Sequence, residues 1–276
     1  MFIKRETGEI MDKTSIIGIV LGVVAILLGM IFKGTSLMVL LNPAALFIIF
    51  VGTAATILIG FPSSEIKRVP KLFGVLLKEQ KTPNISDLIT LFVSLSSMAR
   101  KEGLLSLEKQ VEEMEDPFLQ QGLKMVVDGQ EPDFIRDTME EELDAIEERH
   151  QAGAAIFSQA GTYAPTLGVL GAVLGLIAAL GDLNDMDALG YAIAAAFVAT
   201  LFGIFTGYVL WHPFANKLKR KSKQEILVKS LIVEGILSVQ AGVPPRAIED
   251  KLMVYVPHSE RKKVKELISQ GESVNG

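Results

Sequence analysis

The chain has no cysteine, so disulfides, thiolate zinc sites, iron–sulfur clusters and cysteine nucleophiles are excluded by counting. Histidine is almost as scarce: His150, His212 and His258 are far apart and show no ligand spacing, so no metal site is expected. Aromatic residues make up 7%. The net charge of -5 is small and mixed, with no basic run interleaved with aromatics, which sets nucleic acid aside as a partner. The glycine clusters lack the Lys-Ser or Lys-Thr of a phosphate loop, which argues against an ATP-driven machine. No nucleophile–base pair stands out, so neither an enzyme nor a cofactor is expected.

What the chain has in abundance is apolar sequence. Hydrophobic residues are 49% of the 276, and the mean hydropathy is +0.38. They gather in four nearly uncharged stretches, residues 16–32, about 44–61, about 160–181 and 188–211, separated by densely charged segments. Crossing a core of roughly 30 Å takes about 20 helical residues, so these read as membrane spans. The first is not followed by a small-residue cleavage pattern, and Lys33-Gly34 leads straight into more apolar sequence, against a signal peptide. The expected fold class is all-α: an integral membrane protein with four transmembrane helices and a helical cytoplasmic domain.

Cations set the orientation, because Lys and Arg near spans are retained in the cytoplasm. The first inter-span connection holds Lys33 alone, and the last, residues 182–187, holds none. Lys67, Arg68, Lys71 and Lys78 follow the second span, and Lys217, Lys219, Arg220, Lys221 and Lys223 follow the fourth. These clusters read as topogenic anchors near anionic lipid. Both termini and the middle segment are thus placed in the cytoplasm. The expected organisation is a cytoplasmic segment 1–14, spans in 15–61, a cytoplasmic helical domain 62–157, spans in 158–211 and a cytoplasmic helical tail 212–276.

The middle domain carries eleven Lys or Arg against nineteen Asp or Glu. Ser86-Asp87 suggests a helix start, and Leu88, Leu91, Phe92, Leu95, Met98 and Ala99 recur on one face. Gly103 reads as a mild interruption and Pro117 as the end of that element. Phe118, Leu119, Leu123, Met125 and Val126 fall on a second helix. A third, acidic, starts near Asp133 and runs into the third span without a breaker beyond Gly153. The tail is helical, interrupted at Gly242-Val243-Pro244-Pro245 and Val256-Pro257.

No Asp, Glu, Lys or Arg falls within the spans. Ion pathways ordinarily need one, so if this chain moves ions, a partner must bring the carboxylate. The spans carry instead ridges of small residues, Ala195, Ala199, Gly203 and Gly207 in the fourth and Gly171, Gly175 and Ala179 in the third. Such ridges suit internal packing of the two spans or a face for neighbouring subunits or a partner helix. Thr200 offers a hydroxyl either to a polar path or to its own helix. Pro165 removes the hydrogen bond to the Gly161 carbonyl, and Pro213 lies just past the fourth span.

The run Gln159-Ala160-Gly161-Thr162-Tyr163-Ala164-Pro165-Thr166-Leu167-Gly168-Val169-Leu170-Gly171-Ala172 resembles the MotA family of bacilli and their relatives. So do Phe197-Val198-Ala199-Thr200-Leu201-Phe202-Gly203 and Gly207-Tyr208-Val209-Leu210-Trp211-His212-Pro213. The string Arg100-Lys101-Glu102-Gly103-Leu104-Leu105-Ser106-Leu107-Glu108 is similar to the family's rotor-facing helix, and Met11-Asp12-Lys13-Thr14 to its usual start. The resemblance implies a flagellar motor stator subunit of the bacterial inner membrane, in a ring of about five copies around a MotB dimer whose helix carries the missing aspartate. It implies that Arg100 and Glu108 contact the rotor's switch protein, that Pro165 and Pro213 couple ion passage to movement, and that Thr200 lines the ion path. Sodium-driven relatives place threonine where this chain has Ala172, so the implied coupling ion is the proton. A TolQ/ExbB-type envelope energiser is the alternative, though it would usually have three spans.

Overall fold

The computed structural model describes residues 12–78, 83–181 and 186–275, with side chains to residue 268. The candidate start at Met11 and most of the loop at 182–187 therefore lie outside the described residues. Four helices are long and apolar enough to cross a membrane: Lys13–Phe32, Leu37–Gly60, Pro132–Leu180 and Met186–Gln240. The chain divides into two compact units, residues 1–80 with 149–221, and residues 81–148 with 222–276. The first therefore takes in 62–80 and 149–157 along with the spans, since a packing boundary need not coincide with a membrane boundary.

In the first unit, α1 (Lys13–Phe32) starts at Asp12, whose side chain accepts from the Thr14 amide. No residue of α1 is buried. Helix α2 (Pro43–Gly60) starts at Asn42, with Pro43 in its first turn, where a missing N–H is harmless. Its buried residues, Ala45, Ile49, Thr53 and Ile57, recur every fourth position and form one narrow seam. Short helices α3 (Ser63–Ile66) and α4 (Val69–Leu77) follow. Phe73, Phe157, Trp211 and Phe214 form an aromatic cluster, with edge-on pairs at 5.2 to 6.2 Å.

The second unit is built around α5 (Ile85–Glu102), α6 (Glu108–Glu112), α7 (Pro117–Val127) and α11 (Pro245–Leu252). It also holds residues 132–148 of α8 (Pro132–Leu180), residues 222–240 of α10 (His212–Gln240) and α12 (Arg261–Asn275). The expected face of α5 is its core face: Leu88, Phe92 and Leu95 are buried, and Leu91, Met98 and Ala99 pack against the same cluster. The acidic helix does run on into the third span as α8, without a break at Gly153.

Several boundaries differ from expectation. Asn84, not Ser86, caps α5. Gly103 stops α5 outright, because its φ of +88° lies outside the helical region. Pro117 opens α7 instead of closing an element, seated at N1 behind the Asp116 cap. Beyond the fourth span the helix continues through Pro213, in keeping with a helical tail: α9 (Met186–Phe205) passes through a π-helical turn, Thr206–Trp211, directly into α10. Proline cannot donate to the carbonyl four residues back and its ring collides with it. A widened turn relieves both, and the His212 N–H accordingly reaches the Gly207 carbonyl, five residues back.

Candidate functional site

Two groups of expected site residues are brought together locally, one in each unit. In the first, the small residues of α8 and α9 form a seam between the two helices. A methyl group on Gly203 would lie 2.7 Å from the Ala164 carbonyl oxygen and 2.8 Å from Gly168 Cα. On Gly168 it would lie 2.8 Å from the Ala199 carbonyl oxygen. Further along, a methyl on Gly171 would lie 3.3 Å from Ala199 Cβ and one on Gly175 would lie 3.6 Å from Ala196 Cβ. Backbone meets backbone, as it must where no hydrophobic force drives helices together in lipid. Of the two uses open to the ridge, internal packing is thus realised for Gly171, Gly175, Ala199 and Gly203. The Ala195 carbonyl accepts from the Asn42 side-chain amide at 3.4 Å.

The seam continues into the proline region. A methyl on Gly207 would lie 2.7 Å from Pro165 Cγ, and one on Gly161 would lie 2.8 Å from the His212 ring. Gly161 and Gly168 are therefore seam residues that the sequence reading passed over. The signal was present, since Gly161, Gly168 and Gly175 repeat every seventh residue, the period of one helix face. Thr200 is half-buried and its hydroxyl donates to the Ala196 carbonyl at 3.3 Å, the own-helix bond. Ala172 is also half-buried.

Near the start of α1, the Asp12 carboxylate lies 2.5 Å from Lys217 Nζ and 3.7 Å from Lys221 Nζ. Lys217 also donates to the Ser15 hydroxyl at 2.6 Å, and Lys221 to the carbonyls of Val75 and Lys78 at 2.7 and 2.6 Å. Burial opposes ionisation of Asp12, but hydrogen bonds from Lys217 and Thr14 and the two lysine charges outweigh it and hold its pKa well below the ordinary value. Two of the expected topogenic lysines thus fasten a helix that buries nothing of its own.

In the second unit, Arg100 and Glu108 are both exposed, on either side of the Gly103 turn. Arg100 Nη1 donates to the Gly242 carbonyl at 3.2 Å, and Ser96 Oγ donates to the Val243 carbonyl at 2.7 Å. The α10–α11 turn is therefore pinned against α5. Between the two charges stands Leu105, 73% exposed, while Leu107 is fully buried. Among the described residues no group of three His, Cys, Asp or Glu could hold a metal ion.

Residues 16–103 match the motility protein A N-terminal family, and residues 110–230 match the MotA/TolQ/ExbB proton channel family. Motility protein A of Bacillus subtilis is 59% identical over 96% of this chain and 97% of that protein. The chain belongs to the MotA family. Among solved structures, the flagellar MotAB stator complex from Bacillus subtilis contains a chain 60% identical, superposing with a TM-score of 0.87 over 91% of this chain and 99% of that one. The C. jejuni MotAB structure gives 0.85 at 31% identity, covering 90% and 97%. The match to the motility protein A N-terminal family over residues 16–103 favours this assignment over a TolQ/ExbB-type energiser.

Proposed function

We infer that this chain is a flagellar motor stator subunit that encloses an ion path without supplying its carboxylate. The observation that carries the reading is the pairing of a MotA-type fold with spans containing no Asp, Glu, Lys or Arg. An uncharged lining cannot bind and release a proton, so a MotB-type dimer brings the carboxylate, inside a ring of about five copies of this chain. The chain sits in the bacterial inner membrane. Its cation-rich ends, and with them both termini, face the cytoplasm by the positive-inside rule. Arg100 and Glu108 face the rotor's switch protein, Pro165 and Pro213 transmit ion passage into movement, and Thr200 and Ala172 border the path.

The test is proton flux in vesicles. This chain alone should conduct no more than empty vesicles, and adding the partner's membrane helix with its aspartate should open the path. Flux through this chain by itself would overturn the division of labour, and failure of the pair to restore motility in cells lacking their stator genes would overturn the motor assignment.

A further inference from the structure

An apolar pocket of about 330 Å³ lies in the first unit, with Thr53, Ile57, Ile66, Val69, Phe157 and Trp211 among its walls. Its lining is almost wholly hydrocarbon, yet Thr53, only 5% exposed, has a hydroxyl with no hydrogen-bond partner. That is anomalous in a membrane helix, where Ser and Thr hydroxyls ordinarily bond back to the carbonyl three or four residues earlier. Thr56, three residues on, does so, donating to the Thr53 carbonyl at 2.8 Å. A buried hydroxyl left unpaired is destabilising, so the wall is short of one acceptor.

Three cations stand beside the two wall residues Ile66 and Val69: Lys67, Arg68 and Lys71, all exposed. Glu65, half-buried, is the one acidic neighbour on this stretch. A hydrocarbon slot with an unsatisfied donor in its wall and exposed cations on the stretch that carries two wall residues matches a single molecule: acyl chain, ester carbonyls a few bonds above it, and anionic phosphate above those. Basic pockets between membrane helices on the cytoplasmic side hold lipid headgroups in this way. We propose that this pocket is a binding site for one anionic phospholipid of the cation-side leaflet, with its phosphate at Lys67, Arg68 and Lys71 and an ester carbonyl accepting from Thr53. The site rests on α2 crossing the membrane and is independent of the motor reading.

The experiment uses the complex with its MotB-type partner, reconstituted in nanodiscs of phosphatidylcholine. These are doped with phosphatidylglycerol or phosphatidylcholine carrying a photoactivatable group on the acyl chain. Labelled peptides are expected from the wall segments 50–73 and 156–160, with phosphatidylglycerol strongly preferred. Replacing Lys67, Arg68 and Lys71 by Gln should lower that preference by about fivefold per cation. Thr53→Val keeps the shape, removes the donor and should cut labelling several-fold. Equal labelling by the two lipids would overturn the site, as would labelling indifferent to these variants. A third outcome would also overturn it: no label, with Thr53→Cys instead cross-linking to a neighbouring copy, which would mean that a second subunit fills the pocket. No native cysteine confuses that reading.

Discussion

Gly207 lies against the carbonyl oxygen of Gly161, close enough that a methyl group on Gly207 would stand 2.8 Å from it. This is the carbonyl whose helical donor Pro165 removes. Gly207 also belongs to the π-helical turn that leads into Pro213. The carbonyl freed in α8 and the widened turn between α9 and α10 therefore meet face to face. Each proline frees a carbonyl or widens a turn, and glycine provides the room for the other helix to approach it.

The seam itself should be intolerant of any side chain. Gly168→Ala and Gly203→Ala each drive a methyl into backbone atoms that cannot rotate away, an overpacking worth about 1–3 kcal/mol. A lowered unfolding temperature in detergent and reduced membrane levels are expected. Gly18→Ala and Gly29→Ala meet nothing within 4 Å and should match the parent chain. If all four variants behave alike, the seam is not where the packing is tight.

Pro213→Ala restores an N–H that can reach back four residues, removing the reason for the widened turn at Thr206–Trp211. Proper insertion and ring assembly with loss of swimming is the expected result, because a regular helix relieves strain without harming the fold. Wild-type speed with a retained π-turn would separate the turn from the proline.

The spans, the buried face of α5 and the continuous α8 were legible in the sequence because each depends on a local pattern of apolar residues over many positions. What escaped depended on a second segment. Gly168 is one glycine among several until Gly203 is placed opposite it. Nothing near Lys217 announces Asp12, about two hundred positions away, as its partner. Pro117 was misread for a different reason: a proline marks a boundary without saying on which side the helix lies.

At the charged turn, Arg100→Glu with Glu108→Lys should abolish most swimming while leaving membrane insertion and partner binding intact. Single exposed ion pairs are worth under about 1 kcal/mol, so each single reversal should matter less. Leu105→Ser removes an exposed apolar side chain framed by those charges and should weaken rotor binding without lowering the unfolding temperature. Normal motility in the double reversal would remove this turn from the rotor contact.

The Asp12 cluster carries a pH signature. Its carboxyl is depressed below the ordinary value of 3.8. A depressed carboxyl contributes stability that is fully present above the unfolded-state pKa and lost as pH falls through the folded-state one. Asp12→Asn should therefore cost about 1–2 kcal/mol, the same at pH 8 as at pH 5, with the difference from the parent shrinking only below about pH 4. A difference that already fades between pH 8 and pH 5 would mean that Asp12 is not held ionised by Lys217 and Lys221.

On the proposed reading the coupling ion turns on Ala172 and Thr200, each one residue past a member of the Gly171–Ala199 contact. Sodium gives up its water only to several oxygen ligands, and Ala172 offers a methyl. Thr200 donates its proton to Ala196, which leaves one hydroxyl oxygen able to accept. One oxygen is too few to replace a hydration shell but sufficient for a chain of water leading to a partner's aspartate, so protons are the expected ion. Cells carrying only this stator should swim equally fast with external sodium removed and stop when a protonophore is added. Ala172→Thr alone adds a single ligand and should leave that dependence unchanged. Speed that follows external sodium and survives the protonophore would overturn the proton assignment, and would move the search for oxygen ligands to carbonyls freed near Pro165.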